Sequence, residues 1–245
     1  MKSIFLVLAL LFPIGITGEP KTVKENLAVD GKKRTYYLYV PEGVSQSQPA
    51  PLLVLLHGSN RNGNSLVEKW KSLADKEKII LVAPDSLQTQ TWDIPVDGPD
   101  FIHQLVESLK AKYPINQRKI YLFGHSSGAK FGVIIGLMQS QYFAAVVIHG
   151  GTLMRDSFPT IKYAKRKIPV GIFIGDRDQF CPLGLVQESK VALTEAQIPV
   201  EITLLKGHDH WYYDLAPKIN ELAWAMLKKN SLDEDQHYEI YTFQK

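Results

Sequence analysis

Apolar positions along the chain follow two rhythms. Thr22–Val29 and Arg34–Val40 flank Asp30-Gly31, a dipeptide suited to a tight hairpin turn, and Tyr36–Val40 has the composition of a strand. Past Pro49 and Pro51 the pattern changes. Leu52–Leu56, Ile79–Ala83, Lys119–Phe123, Ala144–Ile148, Val170–Ile174 and Val200–Leu205 are short and mostly apolar throughout. Such runs fit strands covered on both faces, as in a parallel sheet. The intervening stretches Leu66–Lys78, Phe101–Lys112, Ala129–Gln139, Leu185–Ala196 and Pro217–Lys229 read as helices. Leu66, Trp70, Leu73 and Ala74 share one face of the first, and Phe101, Leu105, Val106 and Leu109 one face of the second. The tail Ser231–Lys245 starts acidic and ends with aromatic residues from Tyr238 to Phe243, which predicts a strand or a strap across the surface.

A hairpin followed by six strands alternating with helices predicts an α/β fold: a mostly parallel eight-stranded sheet with helices on both faces. It forms one domain over residues 19–245. Only residues 149–169 separate the strand Ala144–Ile148 from Val170–Ile174, which leaves no room for a large cap there. At the N-terminus, Lys2 precedes the apolar run Ile4–Phe12, followed by Pro13, Gly15 and Gly18. These are the parts of a secretory signal. The run is shorter than the roughly 20 residues a membrane span needs. The expectation is a signal over residues 1–18, and a secreted or periplasmic mature chain with no stable membrane insertion.

Composition narrows the classes. The chain has 245 residues, 45% hydrophobic and 22% charged, which excludes intrinsic disorder. Lys+Arg total 28 against Asp+Glu 25, and with no dense basic cluster nucleic acid is not an expected partner. Cys181 is the single cysteine, so an intrachain disulfide and a cysteine-based zinc site are excluded. It reads as a small packing residue. Arg155, Lys162, Lys165, Arg166 and Lys167 read as a solvated basic face.

Candidate chemistry falls on three loops. Gly124-His125-Ser126-Ser127-Gly128 stands between an apolar strand and a helical run. In that context G-x-S-x-G holds a nucleophile, Ser126, on a strained turn at the start of a helix. Leu56-His57-Gly58-Ser59 ends an early strand, where such an enzyme draws one oxyanion-hole N–H. Ser59 is the expected donor there, and Ser127, after the nucleophile, is the second; His57 would orient the loop. The third group follows late strands. Asp178 is the preferred acid, with Asp176 as the rival turn former. His208 and His210 both qualify as the base. Trp92, on a loop after the strand Ile79–Ala83, either lines the cleft and touches substrate or is simply packed. His208-Asp209-His210 lacks a third ligand cluster at zinc spacing, so neither a metal nor a cofactor is expected.

Together these residues resemble the α/β-hydrolase superfamily over nearly the whole mature chain. Within it, Leu56-His57-Gly58-Ser59 and Asp100-Phe101-Ile102 resemble the compact secreted esterases grouped with polyhydroxybutyrate depolymerases and feruloyl esterases. Gly207, Asp209, His210, Tyr212 and Tyr213 resemble the base loop of the esterase D type, Gly-x-Asp-His-x-Tyr-Tyr. That resemblance implies His210 as base, with His208 the alternative. Ser59 stands where depolymerases often carry Cys. The implied activity is hydrolysis of a small-molecule or polymer-linked ester by Ser126, Asp178 and His210. The alternatives are a serine peptidase or lipase of the same fold, or an inert binding protein on a hydrolase scaffold.

Overall fold

The computed structural model describes residues 21–243. The expected export signal, residues 1–18, lies outside them. The chain opens with β1 (Val23–Val29) and β2 (Lys32–Tyr39), an antiparallel hairpin closed by the pair Val29↔Lys32. Asp30 and Gly31 have φ of 50° and 72°, the left-handed pair that a two-residue turn needs to match strand twist.

The remaining strands are β3 (Ala50–Leu56), β4 (Ile80–Pro84), β5 (Ile115–His125), β6 (Ala145–His149), β7 (Val170–Gly175) and β8 (Val200–Leu205). They form one eight-stranded sheet in the order β1-β2-β4-β3-β5-β6-β7-β8. β2 meets β4 antiparallel, and every pairing from β4 to β8 is parallel. The crossovers carry α1 (Gly63–Glu77), α2 (Asp100–Lys110), α3 (Ser127–Met138) and α4 (Leu183–Glu195), and α5 (Tyr212–Leu227) follows β8.

Strand periodicity distributes one run between two cores. Leu52, Val54 and Leu56 pack on the face covered by α2, α3 and α4, while Leu53 and Leu55 pack on the face of α1 and α5. All five are fully buried, each contributing about 1.5–3 kcal/mol. This explains the absence of alternation in the sequence.

Differences from the sequence reading are local. β5 begins four residues early, because Ala50 pairs with Ile115 before a register shift brings Leu52 opposite Ile120. α5 begins at Tyr212 rather than Pro217, since the fully buried Tyr212 anchors its first turn by donating to Asn220 Oδ1 at 2.5 Å. The β6–β7 connection contains a 3-10 segment, Arg155–Tyr163, with no buried residue and therefore no periodicity to detect. It supplies no large cap. The tail is a strap, not a strand. Leu232 N–H donates to Arg118 O at 2.9 Å, Glu239 N–H donates to Gln139 Oε1 at 3.0 Å, and Tyr238 stacks on His103 at 3.7 Å.

Candidate active site

In a parallel sheet of this kind, strand carboxyl ends face one crevice, and the candidate residues gather there. β5 delivers Ser126 at the first turn of α3. Its φ of 56° and ψ of −115° are outside the regions a side chain ordinarily tolerates. Ser126 N–H donates to His149 O at 2.9 Å, and Ser126 O accepts from Ala129 and Lys130 N–H. The flanking glycines are obligatory. A Cβ at Gly124 would lie 2.2 Å from Gly128 O, and one at Gly128 would lie 2.1 Å from Leu56 O.

The loop after β3 lies against this turn: a Cβ on Gly58 would come within 3.3 Å of Ser126 Cβ. His57 holds the loop in shape. Its buried ring accepts from Ser86 N–H through Nε2 at 3.1 Å, so Nδ1 carries the hydrogen and donates to Gly58 O at 2.9 Å. Burial lowers its pKa, which favours this neutral form. Ser59 Oγ donates to Gln90 O at 2.7 Å. Among the described residues, neither the Ser59 nor the Ser127 backbone N–H is spent on a protein acceptor.

Of the two arrangements expected for Trp92, the structure shows the packed one. Only 7% of the residue is exposed. Its ring stacks on Phe131 with centroids 4.9 Å apart, and Nε1 donates to His57 O at 2.9 Å. The indole is a buttress under the His57-Gly58-Ser59 loop.

Asp178, His210 and Ser126 come together from three separate loops. His210 Nδ1 is 2.8 Å from Asp178 Oδ2, and His210 Nε2 is 2.8 Å from Ser126 Oγ. The Asp178 carboxylate is fully buried, and its other oxygen accepts from Phe180 and Cys181 N–H, both at 2.9 Å. Its charge is thus balanced by directed donors. Gly150, with φ of 61°, leaves room for the imidazole, since a Cβ there would sit 3.1 Å from His210 Cε1. Asp176 accepts from Gly207 N–H at 2.7 Å and braces the turn. Burial raises the Cys181 thiol to about 11, which keeps it neutral and packed.

His208 points elsewhere. Its Nε2 is 3.0 Å from His149 Nε2, and His149 Nδ1 is 3.1 Å from His125 Nδ1. Three buried imidazoles thus form a chain beside the triad. Burial holds the pKa of each below the ordinary value, down to about 3 for His125. Among the described residues, no group of three or more His, Cys, Asp or Glu could hold a metal ion.

Two site residues escaped the sequence reading. His149 ends β6, and its only signal was a histidine closing an apolar run before Gly150-Gly151. Phe180, 79% exposed, sets its ring 4.9 Å from that of His210; the signal was an aromatic two residues after Asp178. Basic residues of the β6–β7 connection find partners within the chain. Arg155 pairs with Glu188, Lys165 with Glu239, and Arg166 donates to Ser140, Phe143 and Ala144 carbonyls.

Among similar proteins is the bifunctional acetylxylan esterase/xylanase XynS20E of Neocallimastix patriciarum. It is 30% identical over 115 residues, covering 45% of this chain and 17% of that protein. The chain thus spans about a sixth of its length. The S-formylglutathione hydrolase of Rattus norvegicus is 23% identical, with 83% of this chain and 92% of that one covered. The CE1 ferulic acid esterase of Anaeromyces mucronatus shares the fold at TM-score 0.68 and 18% identity, covering 83% and 89% of the two chains. The model of one family matches residues 97–219, half of the sequence, from the loop before α2 through the Ser126 turn and the His208–His210 loop into α5. The chain belongs to that family, Phospholipase/Carboxylesterase.

Proposed function

We propose that the protein is a serine carboxylic-ester hydrolase that works through an acyl-enzyme. The observation that carries this reading is His210 bridging Ser126 and Asp178 by two 2.8 Å contacts. A serine hydroxyl is a weak nucleophile unless a base removes its proton during attack. In the proposed mechanism His210 Nε2 takes that proton as Ser126 Oγ bonds to the ester carbonyl carbon. Asp178 fixes the tautomer through Nδ1–H and stabilises the imidazolium. The Ser59 and Ser127 N–H groups receive the tetrahedral oxyanion, one such donor being worth about 2.7–4 kcal/mol. His210 returns the proton to the departing alkoxide. Water then attacks the acyl-enzyme by the same route and releases the acid and free Ser126. No step calls for a cofactor.

The reading extends to an open cleft that accepts small or polymer-linked esters, because the β6–β7 connection carries only the short 3-10 segment. It also includes export directed by residues 1–18. Among the described residues no helix is long and apolar enough to cross a membrane. The test is hydrolysis of p-nitrophenyl esters from acetate to decanoate, with Ser126→Ala alongside the wild type. Turnover that disappears in the variant supports the reading. No turnover at any chain length by folded wild type, together with no labelling by a fluorophosphonate, would sink it in favour of an inert scaffold.

A further inference from the structure

Arginines of this chain mostly spend their guanidinium donors internally. Arg34 binds Asp97, Arg118 binds Asp235, Arg155 binds Glu188, and Arg166 binds three carbonyls. Two arginines, Arg61 and Arg177, make no such contact among the described residues, and Arg61 is the one beside the Gly58-Ser59 turn. It stands two residues after Ser59 in a turn where its N–H donates to Gly58 O at 3.3 Å. Among the described residues its side chain makes no ion pair and no hydrogen bond. Two aromatic faces hold it instead, with the guanidinium carbon 5.1 Å from the Trp211 ring centre and 4.8 Å from that of Tyr213. Such contacts fix a cation without neutralising it or using its in-plane N–H groups.

Trp211 caps α5 and Tyr213 lies in its first turn. Trp211 directly follows His210, and Tyr213 is anchored by its hydroxyl 3.0 Å from Ser65 Oγ. The Tyr213 ring lies 6.0 Å from that of His125, the residue before Ser126. Arg61 also borders a cavity of about 440 Å³ lined by Asn60, Asn62, Ser65 and Thr89. The hollow is open to solvent, and no acid lines it.

An exposed cation held against two aromatic rings, with no ion pair among the described residues and beside an acid-free hollow next to the proposed oxyanion loop, suits an anionic ligand. From this geometry we infer that Arg61 forms a carboxylate-binding subsite, and that the preferred substrates are esters carrying a free carboxylate. The inference rests on the serine-esterase reading above. A carboxylate takes the guanidinium fork through two parallel N–H···O bonds, which lysine cannot reproduce.

The carboxylate can belong to the acyl or the alcohol part, and two substrate pairs separate these sources. The acyl arm compares mono-4-nitrophenyl glutarate with 4-nitrophenyl pentanoate. The alcohol arm compares 4-acetoxybenzoate with 4-methylphenyl acetate. In each arm the quantity is the ratio of kcat/KM for the charged ester over the neutral one. Arg61→Gln is expected to lower that ratio at least tenfold in one arm, mainly through KM, and the arm that responds identifies the source. Arg61→Lys should recover only part of it, and Arg118→Gln, which removes the same charge from the remote tail contact, should leave it unchanged. Ratios unmoved by Arg61→Gln in both arms, with neutral esters still turned over in a Ser126-dependent way, overturn the subsite alone. A folded wild type inert toward all four esters overturns the subsite, and if it also fails on the p-nitrophenyl series and the fluorophosphonate, the esterase reading falls with it.

Discussion

His208 and His210 sit two residues apart on one loop and have opposite surroundings. His210 touches a buried carboxylate on one nitrogen and a serine hydroxyl on the other. His208 touches another imidazole, His149, which in turn touches a third, His125. The first arrangement can accept a proton because the charge that appears is matched by Asp178. In the second, each N···N contact holds one shared proton, and a neutral His149 must donate at one end and accept at the other. An added proton would find no anion in contact and would meet the charge of a protonated His210. Asp178, Asp209 and Asp214 pull His208 toward protonation, yet burial outweighs them. One residue type thus serves as the proposed base or as a structural clamp according to its partners, and spacing along the chain decides nothing.

The largest effect should separate the two histidines directly. His210→Gln is expected to lower kcat by about 10⁴–10⁶-fold, the range for losing a triad base. His208→Gln should cost about 1–3 kcal/mol of stability through the lost clamp contact and lower kcat less than about tenfold. Turnover of p-nitrophenyl acetate and thermal melts, run on both variants, make the test. Comparable kcat losses would mean that the buried chain takes part in proton transfer, and the contrast would be wrong.

The same contrast applies to the two acids. Asp178→Asn keeps the shape but removes the charge that orients His210, and should reduce kcat by about 10⁴-fold. Asp176→Asn retains an acceptor for Gly207 N–H and should stay within a few-fold of wild type. Reversed losses would transfer the acid role to Asp176.

Acid should break the clamp before it breaks the rest of the core. His125 ionises near its ordinary 6.5 when unfolded and at about 3 when folded. Between those values the unfolded chain binds more protons, so stability falls as pH falls. It is fully present above 6.5 and lost progressively down to about 3. By pH 4.5 His125 alone accounts for about 3 kcal/mol, at about 1.4 kcal/mol per pH unit. His149 and His208, shifted the same way, add to it. Urea unfolding from pH 7 to 4.5 measures the loss, and His125→Asn should flatten its slope. An unchanged slope in that variant would show that other groups govern acid unfolding.

What could be read from the chain depended on how local each constraint is. The Ser126 elbow was legible because steric crowding at a strand-to-helix turn dictates Gly124 and Gly128 within five residues. The hydrophobic runs gave the strands, since burial on both faces leaves no alternation to obscure. The choice between His208 and His210 was not local: it depends on how β6 brings His149 to one and how the β7 loop brings Asp178 to the other. The sequence left Trp92 open between cleft wall and core for a related reason. A loop position says nothing about burial when a neighbouring helix, here through Phe131, covers the ring.

Trp92 offers the finest test, because it acts on the oxyanion loop and leaves both histidines alone. Its indole N–H is the donor to His57 O, and the His57 ring in turn shapes the turn at Gly58. Trp92→Phe keeps much of the stacking on Phe131 but leaves that buried carbonyl without this donor, at a cost of about 1–3 kcal/mol. If the buttress also sets the aim of the Ser59 N–H, kcat should fall by a few-fold with KM nearly unchanged, since oxyanion contacts tighten in the transition state. A residue that touched substrate would raise KM instead. A KM effect with unchanged kcat would therefore return Trp92 to the cleft wall. A drop in kcat alone ties the loop's geometry to a hydrogen bond made on the side of the loop remote from the substrate.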